Sequence, residues 1–258
     1  MVLRLWKKKL PKREDKMMKR VFKTEEGVFD SQTRFTLYSF MNKGVISGLD
    51  YPISTGKEAD VYRARAGPNF EGKGEFVAVK IYRIDTSDFM RMMDYLQGDP
   101  RFAKVKHSKR ETVYAWARKE YRNLLICREA KVPVPEPYAS NKNVLLMEFI
   151  GENGVPDSTL KDLGSDTPEK DCETLLSYVK KLYKNRFVHA DLSEFNVLMH
   201  GYPDIVPYLI DVGQGVVLDH PKSQEFLERD IERILHYFKK YGVKKDFDAT
   251  LKWVKAKE

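Results

Sequence analysis

Val188-His189-Ala190-Asp191-Leu192-Ser193-Glu194-Phe195-Asn196-Val197-Leu198 decides the reading of this chain, together with Tyr208-Leu209-Ile210-Asp211-Val212-Gly213 a few residues on. An Asp and an Asn five residues apart sit in a short polar loop between apolar runs, and a second Asp closes an apolar strand just before a glycine. Leu175, Leu176, Val179, Leu182 and Tyr183 form a helical stripe leading into the loop. Phe226, Leu227, Ile231, Ile234, Leu235 and Phe238 form another after Gly213. His189 reads as a prop for the loop rather than a base.

Upstream, Phe76-Val77-Ala78-Val79-Lys80-Ile81-Tyr82 alternates as a strand. A lysine on an apolar strand is costly unless it meets an anion; the alternative is an edge strand whose Lys80 reaches solvent. From Glu111 to Ala130 the pattern is helical, with Val113, Trp116, Ala117, Tyr121, Leu124 and Leu125 as its apolar stripe. Glu120 falls inside that stripe, so its carboxylate is expected to point inward and seek a cation, with Lys80 the natural candidate. The competing reading is an exposed Glu120 paired with Lys119 or Arg122. Val144 to Gly151 reads as an apolar strand running into the Gly-, Asp- and Pro-rich connector 151–170. Ser54-Thr55-Gly56-Lys57-Glu58-Ala59 is a polar turn between β-prone runs, either a hairpin turn or a cradle of amides and hydroxyls for phosphate. The long segment from Arg83 to Arg110 holds Gly98 and Pro100, and so long a connection is usually functional or disordered.

The formal net charge of +8 resides in residues 1–23, which hold ten Lys/Arg against Glu14 and Asp15; the rest balances. Such a basic arm can contact RNA phosphates or be a solvated amphipathic helix. A second helix is expected near Ser31–Asn42, capped by Asp30 or Ser31. No run of 18 apolar residues is present, which argues against a membrane span, and the charged N-terminus lacks the apolar stretch of a secretory signal. Cys127 and Cys172 stand alone without metal-type spacing and read as reduced thiols in a cytoplasmic protein.

The Asp-x-x-x-x-Asn loop followed by Asp-Val-Gly is similar to that of protein kinases, in which one Asp meets the acceptor hydroxyl while the Asn and second Asp hold Mg²⁺. More specifically, the chain resembles the RIO family of atypical protein kinases, first subfamily. The likeness rests on Ser54-Thr55-Gly56-Lys57-Glu58-Ala59, on Trp116 to Leu124, on His189 to Asn196 and on Ile210 to Gln214, and it runs from about residue 30 to about 245. It implies a two-lobed α+β kinase-like fold with a truncated C-terminal lobe. Residues 1–48 would be a basic helical extension, 49–150 the first lobe with a flexible loop at about 83–110, and 151–258 the second. It implies that Lys80 contacts the α- and β-phosphates of ATP, that Glu120 orients Lys80, and that Asp191 is the catalytic aspartate. Asn196 and Asp211 would bind Mg²⁺, or Mn²⁺ in its place, and Asp211 could accept phosphate as an aspartyl-phosphate. Ser54, Thr55 and Lys57 would line the phosphate end. Met147 would shape the back of the pocket, with backbone groups near Glu148 and Ile150 on the adenine edge. By the same analogy Asp230 braces the catalytic loop; the alternative is an exposed acid favouring a helix dipole.

The departures bear on function. Ala190 stands where an Arg usually precedes the catalytic aspartate, and Ser193 stands where a Lys usually contacts the γ-phosphate. Asp211-Val212-Gly213 lacks the usual Phe, and only 45 residues follow Gly213, too few for the peptide-binding helices of ordinary kinases. The resemblance implies protein serine/threonine phosphorylation of a substrate or of the chain itself, or an ATPase cycle serving small-ribosomal-subunit maturation, with a pre-ribosomal particle as partner. A small-molecule phosphotransferase is the remaining alternative.

Overall fold

The computed structural model describes residues 29–85, 87–102, 108–201 and 203–256. The basic arm and its expected helix lie outside them. Helix α1 (Ser31–Asn42) begins where Asp30 accepts a hydrogen bond from the Thr33 amide at 2.6 Å, so Asp30 is the cap. Strands β1 (Ile46–Thr55) and β2 (Ala59–Ala66) form a hairpin closed by the Gly56 amide on the Ala59 carbonyl, and β3 (Phe76–Tyr82) follows.

The segment 83–110 is not the continuous flexible loop expected from the resemblance. It contains helix α2 (Phe89–Gln97) and a 3₁₀ turn at Pro100–Phe102, while residues 86 and 103–107 lie outside the described part. The physical reason is a short amphipathic pattern: Met92, Met93, Tyr95 and Leu96 gather on one side and are buried. Asp88 caps this helix by accepting from the Arg91 amide.

Helix α3 (Lys109–Glu129) is capped by Ser108, and β4 (Pro137–Asn141) and β5 (Val144–Glu148) complete a five-stranded antiparallel sheet in the order β1-β2-β3-β5-β4. Strand β3 is therefore central, which removes the edge-strand alternative for Lys80. Its two faces serve different cores. Val77, Val79 and Ile81 pack with Val144, Leu146 and the α1 residues Leu37 and Phe40. Ala78 and Tyr82 join Leu145 and Met147 in a larger cluster that continues into the second lobe.

The connector holds a small hairpin, β6 (Gly151–Glu152) with β7 (Val155–Pro156), and a single-turn helix α4 (Leu160–Leu163). Helix α5 (Pro168–Lys184) then leads to β8 (Phe187–Val188), β9 (Val197–His200), β10 (Val206–Leu209) and β11 (Val216–Val217), before α6 (Ser223–Lys239) and α7 (Phe247–Lys255). β9 pairs with β10 and β8 with β11, so two short antiparallel pairs frame the polar loop. The whole is a two-lobed α+β, protein-kinase-like fold with a small second lobe. Among the described residues no helix is long and apolar enough to cross a membrane. Cys127 and Cys172 are free and buried, and burial pushes their thiols up to about 12 and about 11.

Candidate active site

Lys80 is 7% exposed in the middle of the sheet, and Glu120 reaches it from α3 with 1% exposed. The Lys80 ammonium lies 2.8 Å from Glu120 Oε1 and 3.0 Å from Asp211 Oδ1. The Tyr82 hydroxyl donates to the other Glu120 oxygen. A solvent-facing Glu120 paired with Lys119 or Arg122 is thereby excluded. Burial alone would depress the Lys80 ammonium, but the Asp211 and Glu120 carboxylates outweigh it and hold the group above its ordinary value. Burial pushes Glu120 up to about 7 against the pull of Lys80, and Lys80 holds Asp211 below the usual carboxylate range. The Asp211 carboxylate is half exposed, so one flank of this cation–anion group opens toward a ligand.

Asp191 is gripped from three sides. Its Oδ1 accepts from Arg233 at 2.8 Å, its Oδ2 accepts from Gln214 Nε2 at 2.9 Å, and its carbonyl accepts from Asn196 Nδ2 at 2.8 Å. The backbone below is held by Asp230, which is buried and accepts from the Ala190 and Leu192 amides at 2.8 and 2.9 Å. Arg229 adds a bond to the Ala190 carbonyl. Asp230 is thus a brace and not an exposed first-turn acid. Ala190 and Asp211 both have positive φ, 66° and 55°. Strained backbone of this kind persists where its surroundings over-determine it, as the bonds around Ala190 do. His189 is buried; its Nε2 meets the Ile210 carbonyl at 3.2 Å, which ties the two aspartate-bearing segments together. Burial holds its imidazole below the ordinary value, consistent with a neutral prop.

The remaining expected positions surround this centre. Val61 pairs with Lys80 and Ser54 with Val61 across the sheet, so Ser54 sits two strands, roughly 10 Å, from Lys80. Thr55 and Lys57 follow on the exposed β1–β2 turn. Met147 pairs with Ala78, two residues from Lys80, on the apolar face. The Glu148 amide is taken by the Glu136 carbonyl at 2.8 Å, and the Ile150 carbonyl accepts from the Asp157 amide at 3.2 Å. An adenine edge would therefore be met by the Glu148 carbonyl and the Ile150 amide.

Sequence reading missed Gln214, Arg233 and Arg91. Arg91, on α2, donates to Gln214 Oε1 at 3.1 Å and lies 3.9 Å from Glu58 of the β1–β2 turn. No periodicity marks these residues; only the fold brings Gln214 and Arg233 to Asp191 and Arg91 to Gln214.

The fold is of the protein-kinase class. The family described as the RIO domain matches residues 60–250. The RIO-type serine/threonine-protein kinase Rio1 of Haloferax volcanii is 40% identical over 237 residues, 92% of this chain and 79% of that one. The protein of the same name from Methanocaldococcus jannaschii is 36% identical over 256 residues, covering 99% of this chain and 84% of that one. Among solved structures, the Rio2 kinase-ADP/Mg²⁺-phosphoaspartate complex from Chaetomium thermophilum superposes with a TM-score of 0.66 at 20% identity, over 85% of this chain and 65% of that chain. That likeness supports the fold alone, and this chain spans just under two thirds of that structure's length. The chain belongs to the RIO domain family and is a phosphotransferase of the atypical-kinase type.

Membership implies ATP and a divalent metal ion. The residues fit such an ion. Asp211 offers a half-exposed carboxylate, and Asn196 has its nitrogen committed to the Asp191 carbonyl while its oxygen remains for a ligand. Among the described residues no cluster of three or more His, Cys, Asp or Glu forms a closed cage. Few hard oxygen donors completed by phosphates and water is the pattern that suits Mg²⁺.

Proposed function

We propose that this chain transfers the γ-phosphoryl group of ATP to serine or threonine hydroxyls on protein, itself included, using Mg²⁺. The reading is carried by one observation, the Lys80 ammonium bridging Glu120 and Asp211. In this reading Lys80 neutralises the α- and β-phosphates, and Glu120 fixes its direction. Asn196 and Asp211 hold the metal, which neutralises charge developing on the phosphates. Ser54, Thr55 and Lys57 lie along the triphosphate, and Met147 closes the pocket behind the adenine. Asp191 orients the acceptor hydroxyl and takes its proton late, because the transition state is loose and positioning dominates. Gln214 and Arg233 keep its carboxylate facing the acceptor.

A second reading is favoured by the same geometry. Both Asp191 carboxylate oxygens are engaged, whereas the Asp211 carboxylate is half exposed beside Lys80. Asp211 would then receive the phosphoryl group, and hydrolysis of the aspartyl-phosphate would make the chain an ATPase. Its output would be timing of small-ribosomal-subunit maturation on a pre-ribosomal particle, a role suggested by the family resemblance. Incubation with γ-labelled ATP separates the two. Label stable to hydroxylamine and lost in Asp191→Ala supports hydroxyl transfer, whereas hydroxylamine-labile label lost only in Asp211→Asn supports the acyl phosphate. Absence of label and of ATP turnover in the parent chain overturns both.

A further inference from the structure

Helix α3 carries a second polar device beside Glu120. Lys119 is completely buried, yet among the described residues it has no carboxylate partner. Its Nζ donates to the Gly213 carbonyl at 2.7 Å and also to the Gly215 carbonyl. One turn further, Asn123 is equally buried and donates from Nδ2 to the carbonyls of Val212 at 2.7 Å and Gly215 at 3.0 Å. Asn123 is itself oriented: its Oδ1 accepts from Arg101 at 2.9 Å, and Arg101 is clasped by the buried Asp99 at 2.6 Å. The rings of Trp116 and Tyr95 lie 5.2 and 5.9 Å from the Lys119 nitrogen.

A fully desolvated lysine with no carboxylate in contact is expensive, and burial lowers this one to about 7 against the pull of nearby Asp99. Two carbonyls accept its N–H groups in place of a carboxylate. These four bonds all fall on residues 212–215, the stretch that follows Asp211. Asp211 itself has left-handed backbone, a conformation that persists only when neighbours hold it. The aromatic residue that packs after this aspartate in ordinary protein kinases is replaced by Val212. Val212 is itself fully buried, and the hydrogen bonds from α3 are made to the backbone around it.

We propose that Lys119 and Asn123 are positioning residues for the metal site. They fasten the backbone of residues 212–215 to the helix that bears Glu120, so the Asp211 carboxylate and the Lys80–Glu120 pair keep one fixed separation. This rests on the reading of Asp211 as a metal ligand. Gly213, in the 3₁₀ turn Val212–Gln214, fits the arrangement, because a Cβ there would lie 3.1 Å from Trp116 Nε1 and crowd the seam between this turn and α3.

The test uses the full chain with Lys119→Met and Asn123→Ala, and Asp211→Asn as reference. Phosphoryl transfer is measured across Mg²⁺ concentrations at saturating ATP, and binding of a fluorescent ATP analogue is measured in EDTA. Both clamp variants should need about tenfold more Mg²⁺ for half-maximal rate, the size seen when supports of metal ligands are removed. Their metal-free nucleotide affinity should match the parent. Variants that lose thermal stability but keep the parent Mg²⁺ midpoint overturn the proposal, since a merely structural role moves only the first. Should Lys119→Met fail to fold, Asn123→Ala decides alone. A parent-like Mg²⁺ dependence in Asp211→Asn removes the metal reading of Asp211 and the clamp's role with it. A shifted Asp211→Asn beside unshifted clamp variants overturns the clamp alone.

Discussion

Replacing Lys80 with Met tests the central ion pair on stability as well as on activity. Met keeps most of the aliphatic stem, so little cavity is created in the sheet. What remains is Glu120, 1% exposed and without its cation. Removing one partner of a buried pair costs about 3–5 kcal/mol. The Asp211 contact adds little, because that carboxylate is half exposed and water takes over. For a chain of this size each kcal/mol lowers Tm by roughly 2–4 °C, so the variant should melt about 6–20 °C below the parent. The loss must depend on pH. Burial already pushes Glu120 up to about 7 with Lys80 present, and without Lys80 it acts unopposed. A carboxyl whose folded pKa exceeds its unfolded value of about 4.3 binds its proton more tightly when folded, so stability falls as pH rises through that window. Lys80→Met should therefore be worse at pH 8 than at pH 5. The double variant Lys80→Met/Glu120→Leu should regain most of the stability while phosphoryl transfer stays at least about 100-fold down, the cost of losing one preorganised cation. Calorimetry at the two pH values and a labelled-ATP assay read these outcomes. A double variant as unstable as Lys80→Met, or a penalty that does not vary with pH, refutes the reasoning.

Asp191→Asn should lose at least about 100-fold in transfer to protein hydroxyls while calorimetry shows ATP binding within about twofold of the parent. Gly215→Ala places a Cβ 2.2 Å from the Phe187 ring and should cost about 1–3 kcal/mol in urea unfolding. Leu37→Ala, at a site with no exposed surface on α1, should cost about 3–5 kcal/mol by the same measurement. Lys119 is lowered to about 7 when folded and returns to about 10.4 when unfolded, so the unfolded chain binds the extra proton between those values. Its contribution therefore makes stability rise with pH across that window, by up to about 1.4 kcal/mol per unit, and Lys119→Met should abolish that slope in denaturant titrations from pH 7 to 10.

Lys80 and Glu120 were legible because each breaks an apolar pattern: a cation on a strand and an acid inside a helical stripe. Asp230 carried the same kind of signal beside Ile231, and only the fold could decide between brace and dipole. Lys119 entered the sequence reading only in the competing alternative, as a solvent-side partner of an exposed Glu120, and its own burial was not foreseen. The flaw is physical, since a helix is assigned a wet side only if one side remains uncovered. Helix α3 is covered by the sheet, by α2 and by residues 212–215 on all but the side bearing Arg118, Arg122 and Glu129, so Lys119 and Glu120 both turn inward. Helix α2 was hidden by its brevity and by Gly98 and Pro100 at its end. Arg91 and Arg233 carry no local pattern, and Gln214 was read only as the end of the stretch from Ile210; the fold brings Gln214 and Arg233 to Asp191 and Arg91 to Gln214.

Tyr95 of α2 meets Trp116 edge-on at 5.9 Å and stacks on Phe226 of α6 at 5.2 Å. The segment inserted between β3 and α3 is thereby a rear strut joining the upper and lower halves of the molecule. Any hinge-like gaping of the cleft has to separate this ring stack, whereas the exposed β1–β2 turn carries no such ring stack to the second lobe among the described residues.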